Sequence, residues 1–113
     1  MKIIKKPISV DELNEFAQQR FGNLVKAVVD IEKEIMAIDG ELHADEEALL
    51  LEKGSGQENL WGINLYPELK GTDFIEFDSM INLRPSIKNM TRGINNSKIK
   101  NKIIKIVNKL VEK

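Results

Sequence analysis

Hydrophobic and polar residues alternate through two neighbouring segments in the second half of the chain. Successive side chains of a strand point to opposite faces of a sheet, so such alternation is typical of a strand with one buried face. The first segment ends at Tyr66 and has an apolar face made of Trp61, Ile63 and Leu65. The second runs from Phe74 to Arg84 and has an apolar face made of Ile75, Phe77, Ile81 and Leu83. We therefore predict two long antiparallel strands joined by the loop 67–73.

The two apolar faces fix how these strands pair. Placing Leu65 opposite Ile75 puts Asn64 opposite Glu76. A slip of one residue would turn the apolar set towards water, so the pattern specifies the register. The face opposite the core is then polar, and carries Asn64, Glu76, Asp78, Asn82 and Arg84.

The first third of the chain predicts a strand and a helix. Lys2 to Lys6 is a short strand candidate that Pro7 ends, because proline cannot donate to a sheet ladder. Ser9 followed by Glu12 is typical of a helix start, and Gly22 provides the stop.

The stretch from Leu24 to Leu42 is open to two interpretations. Its apolar residues follow a heptad-like spacing that a long helix would also show, whereas its richness in Val and Ile favours strands. We expect a hairpin that turns at Lys33-Glu34 and pairs Ile31 with Met36. Glu34 is a poor residue for so tight a turn, which usually requires Gly or Asn.

Two more helices complete the prediction. The first covers Asp45 to Lys53, and the second is capped by Ser97 and reaches about Glu112. The second has a broad apolar stripe, made of Ile99, Ile103, Ile106, Val107, Leu110 and Val111. The expected fold class is α+β, with an antiparallel sheet of four or five strands and about three helices over its apolar face, in the order β-α-β-β-α-β-β-α.

The length of 113 residues predicts one domain covering 1–113. No apolar run approaches the length of a membrane span, and the amino end has no segment like a signal peptide, so we expect a soluble, cytoplasmic protein without a membrane partner. The absence of cysteine excludes disulfides, thiolate metal sites and cysteine nucleophiles.

The charge is unevenly distributed along the chain. Residues 1–83 hold 8 basic and 17 acidic side chains, and residues 84–113 hold 9 basic and 1 acidic. A basic last helix, with Arg84 and Arg92, is one way to bind nucleic acid. We favour the simpler interpretation, in which a helix with a solvated lysine face packs on an acidic body.

The polar strand face is the first candidate site. Glu76 and Asp78 could hold a divalent cation with help from Asn64 or Asn82, or could act as an acid and a base. The competing interpretation is an ordinary solvated sheet face. Phe74, Met80 and Tyr66 lie among these polar residues and suggest that the face is partly covered.

Two further features could carry chemistry. His43 with Asp45 could ligate a metal, although no paired-histidine spacing supports this. Arg84 and Arg92, with Asn89 and the nearby Gly93, could bind a phosphate or a carboxylate. The sequence has no phosphate-binding loop, dinucleotide fingerprint or hydrolase motif, so the cofactor, if there is one, is unknown at this point.

Several longer runs carry a resemblance: VKAVVDIEKEIMAIDGELHADEEALLLEKGS, LWGINLYP, IEFDSMINLRP and N-x-x-R-G. With these the chain resembles a family of short bacterial and archaeal proteins catalogued only as a domain of unknown function. The resemblance covers almost the whole chain and implies a free-standing domain, but no activity and no catalytic residue. Glu34 departs from the Lys-Gly turn of that family.

Three functions stay open at this point. The first is binding of a small ligand, anion or divalent metal, with possible hydrolysis, on the polar strand face closed by the His43 segment and the Arg92 loop. The second is an interaction module that forms a homodimer or binds a partner through the same face. The third is nucleic-acid binding through the lysine helix.

Overall fold

The computed structural model describes residues 1–113 and has the predicted α+β architecture. The three helices are α1 (Val10–Arg20), α2 (His43–Glu52) and α3 (Ser97–Leu110). The strands are β1 (Lys2–Ile4), β2 (Ile8–Ser9), β3 (Val25–Asp30), β4 (Ile35–Ile38), β5 (Leu60–Leu65), β6 (Ile75–Glu76) and β7 (Val111–Glu112).

Five of these strands form one antiparallel sheet in the order β1-β4-β3-β5-β6. The short strands β2 and β7 form a separate parallel pair, which the sequence pattern did not reveal. The predicted pairing of β5 with β6 is confirmed: Asn64 lies opposite Glu76 and Leu65 opposite Ile75.

Helices cover both faces of the sheet, whereas the prediction placed them on one face. Helices α1 and α3 pack on the face that carries Ala27, Trp61 and Ile63, and build the main core there. Helix α2 packs on the other face, where its Leu50 meets Val28, Ala37 and Leu60. Every residue of β5 is buried as a result, so the interpretation of a fully solvated polar face was wrong for this strand.

The predicted hairpin is confirmed as β3 and β4, but its register differs. Val29 pairs with Met36, and the connection is the four-residue turn 31–34 instead of two residues. The buried Asp30 carboxylate accepts the amide N–H groups of Glu32 and Lys33, and this stabilises the wider turn. The shift is two residues, so each side chain keeps its predicted face.

The predicted long strand from Phe74 to Arg84 was wrong beyond Glu76. Only Ile75 and Glu76 pair as β6, and the chain then forms short 3₁₀ turns at Met80–Asn82 and Pro85–Ile87. The Ser79 hydroxyl accepts the Ile81 amide N–H and starts the first turn. Such local side-chain bonds compete with a strand ladder, and alternation of residue type alone does not detect them.

The ends of α3 also differ from the prediction. Asn96, one residue before Ser97, caps the helix, because its Oδ1 accepts the amide N–H groups of Lys98 and Ile99. The helix ends at Leu110, since Val111 leaves it to pair with Ile8. No helix in the structure combines the length and the apolar composition that a membrane crossing would need.

Candidate functional site

A group of polar side chains lies on the α2 face of the sheet, near the end where β6 pairs with β5. We call it the polar cluster; its members are Lys26, His43, Asn64, Tyr66, Glu76, Asp78 and Arg92. The centre of the polar cluster extends across three neighbouring strands. Lys26 of β3 pairs with Asn64 of β5, and Asn64 pairs with Glu76 of β6. The even-numbered residues of β3 and β5 face α2, so the sheet aims these side chains to one side.

Asn64 stands at the centre of the polar cluster and is 8% exposed. Its Nδ2 donates to Glu76 Oε1 over 2.9 Å, and Tyr66 donates to the same oxygen over 2.9 Å. A carboxylate only accepts hydrogen bonds, so the nitrogen of Asn64 must face Glu76. Its Oδ1 is left buried with no donor, which is an unfavourable state for a polar atom.

His43 is the first residue of α2, and that helix holds its ring against β5. Its Nε2 lies 2.8 Å from the main-chain oxygen of Ile63. A carbonyl only accepts, so Nε2 carries the proton and the neutral ring presents Nδ1 as an acceptor. Burial lowers the pKa of His43, and the charges of Lys26, Asp78 and Arg92 also act on it. His43 is therefore neutral at neutral pH.

Asp78 and Arg92 close the outer side of the polar cluster. Arg92 Nε donates to Asp78 Oδ1 over 2.6 Å, and both side chains are about half exposed. The loop that carries Arg92 is attached to the segment after β6 through a bond from the Ser79 amide to the Arg92 carbonyl. The long connection after Pro85 thus brings a guanidinium to the sheet face.

The polar cluster combines hydrogen-bond acceptors with both signs of charge. Asn64 Oδ1 and His43 Nδ1 are acceptors without a protein donor, and Lys26 and Arg92 provide positive charge. The carboxylates Glu76 and Asp78 provide negative charge. No three His, Asp or Glu side chains in the structure lie close enough to share a metal ion, and Asp45 is exposed on the first turn of α2.

The structure separates two other predicted site residues, Asn82 and Arg84, from the polar cluster. The strand β6 is too short to cover the edge of β5, and these side chains cover the rest. Asn82 accepts from the Gly62 amide N–H over 2.8 Å and donates to the Gly62 carbonyl over 2.9 Å, as a strand residue would. Arg84 donates to the Leu60 carbonyl and lies 4.3 Å from the centre of the Trp61 ring. The side chains of both residues are therefore used to bond the main chain of β5.

Asn89, the remaining predicted site residue, organises the long connection. It is 4% exposed, and its Nδ2 donates to the carbonyl oxygens of Asn82 and Gly93 over 2.7 and 2.8 Å. Its Oδ1 accepts the Asn95 amide N–H. The amide of Asn89 is therefore fully used inside the loop and is not directed at a ligand.

Lys26 and Tyr66 belong to the polar cluster but were not among the predicted site residues. A signal for Lys26 was present, because alternation along a strand places it on the side opposite the apolar residues Ala27 and Val29. The pairing of β3 with β5, which joins distant parts of the chain, brings it beside Asn64. Local patterns carry little information about such pairings.

The fold and the polar cluster define a small α+β protein with a partly covered polar site on one face of its sheet. The chain belongs to the family described as "Protein of unknown function (DUF5674)", which matches residues 2–110. The resemblance to a domain of unknown function over almost the whole chain is thereby confirmed. No curated protein and no solved structure matches the chain.

Proposed function

We propose that the protein binds a small organic anion that also carries hydrogen-bond donors, such as an amino acid or a hydroxy acid, at the polar cluster. The observation that carries the proposal is the buried Asn64 Oδ1, which has no donor within the protein. Leaving a buried acceptor unpaired costs about 1–3 kcal/mol, and a ligand hydroxyl or ammonium would remove this cost.

The charges around Asn64 support the same class of ligand. Lys26 and Arg92 would attract a carboxylate or phosphate group. Glu76 and Asp78 would repel a simple anion but would accept hydrogen bonds from an ammonium or hydroxyl group on the same molecule. Neutral His43 adds a further acceptor at Nδ1. A ligand with groups of both kinds satisfies the whole cluster.

A thermal melt against a small panel tests this proposal. The panel contains amino acids, malate, acetate and phosphate. Acetate and phosphate are the control anions, because neither has a carbon skeleton that also carries a hydroxyl or ammonium group. A ligand that binds only the folded state adds about 2.7 kcal/mol of stability at a hundredfold excess over its Kd. We expect an amino acid or hydroxy acid to raise the midpoint by several degrees, and acetate to have no effect.

Arg92→Gln is the decisive variant, and Arg20→Gln is its matched control. Both arginines form an exposed Nε–Oδ1 ion pair, Arg92 with Asp78 and Arg20 with Asp39, so both substitutions remove one such pair. The ligand-induced shift should disappear in Arg92→Gln and persist in Arg20→Gln. A flat panel, or an unchanged shift in Arg92→Gln, would contradict the proposal.

A homodimer is the second candidate function, and a different surface favours it. Three large apolar side chains near one another in the chain are exposed: Met80 by 62%, Leu83 by 37% and Ile87 by 55%. They line a groove of about 550 Å³ together with Glu47, Glu58 and Arg84. An apolar centre with both signs of charge can be self-complementary across a two-fold axis.

Sedimentation velocity over a range of concentrations tests the homodimer. We expect the mass to double as the concentration rises, and Ile87→Lys to keep the protein monomeric. Leu69→Lys is the control, since Leu69 is 46% exposed and lies outside that groove. A constant monomer mass would exclude this candidate.

A further inference from the structure

An open cleft lies between α3 and the segment around β6, on the sheet face opposite the polar cluster. Alternation along this segment separates the two sites: Glu76 and Asp78 belong to the polar cluster, whereas Ile75 and Phe77 line the cleft. Phe74 was expected on the polar face, but it precedes β6 in a helical conformation and its side chain joins the main core. Together with Ile104 of α3, it completes the apolar wall of the cleft. The cleft has a volume of about 520 Å³, and small-molecule sites typically occupy about 300–1,000 Å³.

Two lysines provide the charge of the cleft. Lys100 Nζ lies 5.0 Å from the centre of the Phe77 ring, and Lys113 Nζ lies 4.1 Å from the centre of the Phe74 ring. Neither ammonium group forms an ion pair; the four ion pairs of the structure involve other residues. No aspartate or glutamate lines the cleft. Each ammonium group therefore lies near an aromatic ring and keeps N–H donors free for a ligand.

We propose that this cleft binds an amphipathic organic anion, that is, a molecule with an aromatic or aliphatic body and one carboxylate or sulfonate group. The body would contact Phe77, Ile75 and Ile104, where burial of apolar surface drives binding. The anionic group would lie between Lys100 and Lys113 and accept charge-assisted hydrogen bonds. Apolar walls with a few polar groups at fixed positions are the usual construction of a small-molecule site.

This cleft differs from the polar cluster in the ligand it selects. The polar cluster contains carboxylate side chains and a buried unpaired acceptor and favours a ligand rich in donors. The cleft is lined by no aspartate or glutamate and by no buried unpaired acceptor. The two sites share no side chain. A failure of one proposal would leave the other unaffected.

Fluorescence titration with 8-anilinonaphthalene-1-sulfonate tests the proposal, because this probe joins an aromatic body to one sulfonate. The double variant Lys100→Gln/Lys113→Gln removes both ammonium groups. Lys102→Gln/Lys105→Gln is the matched control, since these lysines lie on α3 outside the cleft. We expect binding about tenfold weaker in the first variant and unchanged in the second.

Two further titrations separate charge recognition from apolar attraction. N-phenyl-1-naphthylamine has a similar body without the sulfonate, and its affinity should be equal in all three proteins. Decanoate should displace the sulfonate probe, whereas acetate should not. Equal affinity of the sulfonate probe for the two double variants would overturn the proposal, as would absence of binding by the wild-type protein. Far-UV circular dichroism of each variant shows whether it retains the fold.

Discussion

Glu46 lies on α2 with its carboxyl group completely buried, an environment in which acidic side chains are rarely found without a charged partner. Its Oε2 accepts the Gly40 amide N–H over 2.8 Å, and its Oε1 has no partner. A Cβ atom at position 40 would lie 2.6 Å from Glu46 Cγ, so only glycine fits there. Burial raises the pKa of Glu46 to about 9, and the group is therefore protonated at neutral pH.

This shift predicts how stability depends on pH. Between pH 4.5 and about 9 the folded state keeps the Glu46 proton and the unfolded state loses it. The contribution of Glu46 is thus fully present below pH 4.5 and declines as the pH rises towards 9, by on the order of 1 kcal/mol per pH unit.

Glu46→Gln tests this dependence by chemical denaturation at pH 5 and pH 8.5. The amide can accept the Gly40 N–H but does not ionise, so the variant should lose less stability than the wild-type protein at the higher pH. Glu52→Gln, on the exposed end of the same helix, should follow the wild-type profile. Parallel profiles for all three proteins would show that Glu46 does not control the dependence.

Among the secondary-structure elements, β5 has the least regular environment. On one side it pairs with β3 over six residues, and on the other β6 covers only two. Asn82 and Arg84 satisfy the main-chain groups that remain. A Cβ atom at position 62 would lie 2.5 Å from Ser79 Cβ, so Gly62 allows the covering segment to approach this closely.

Asn82→Ala should therefore destabilise the protein strongly. The substitution removes the two bonds to Gly62 and leaves the buried N–H and carbonyl of that residue unpaired. It also removes a third bond, to the Arg92 carbonyl, which keeps the Ser79 amide N–H as a donor. We expect a loss of about 3 kcal/mol in the free energy of unfolding, measured by denaturant titration. Asn23→Ala, at an exposed loop position, should change it by less than about 0.5 kcal/mol. A small effect at position 82 would mean that the segment does not need this amide to cover β5.

At the scale of the whole molecule, a segment near the start of the chain is joined to one near its end. Ile8 and Ser9 of β2 pair in parallel with Val111 and Glu112 of β7, directly before α1 and directly after α3. Val111 is 2% exposed and belongs to the same core as Trp61 and Phe74. Helices α1 and α3 and strand β5 thus share one packed interior.

Val111→Ala should consequently weaken the entire fold and not merely free its end. Loss of this buried side chain should cost about 2 kcal/mol. We expect the unfolding transitions followed by Trp61 fluorescence and by far-UV circular dichroism to shift together. An unchanged Trp61 transition beside a shifted helical signal would show that the β2–β7 pair unfolds separately from the core.

Much of this architecture could be predicted from the sequence. The helix start at Ser9, the β3–β4 hairpin and the pairing of Asn64 with Glu76 all follow from residues close together in the chain or from the alternation of one strand. Hydrophobic periodicity identified them because burial of one face imposes a period of two or 3.6 residues on the sequence.

The polar cluster was predictable only in part. His43, Asn64, Glu76, Asp78 and Arg92 were candidates, and the structure brings them together. Asn82, Arg84 and Asn89 were candidates of the same residue types, but their amide and guanidinium groups bond to the main chain. Residue type does not distinguish a ligand-binding group from one that satisfies a buried carbonyl, because the same donors serve both purposes.

The sequence by itself determined the α+β class, the elements with strong periodicity and the side of the sheet that the residues of β3, β5 and β6 face. It placed Phe74 and Ile81, which lie outside β6, on the wrong sides. Tertiary structure alone decided that α2 covers the second face, that β6 stops after Glu76, and that Val111 leaves α3 to pair with Ile8. The position of α2 and the pairing of Val111 depend on partners far away in the chain, and the end of β6 depends both on the local Ser79 bond and on the distant bonds between Asn82 and Gly62. An amide, a carbonyl or an apolar side chain is stabilised by whatever group the fold places beside it.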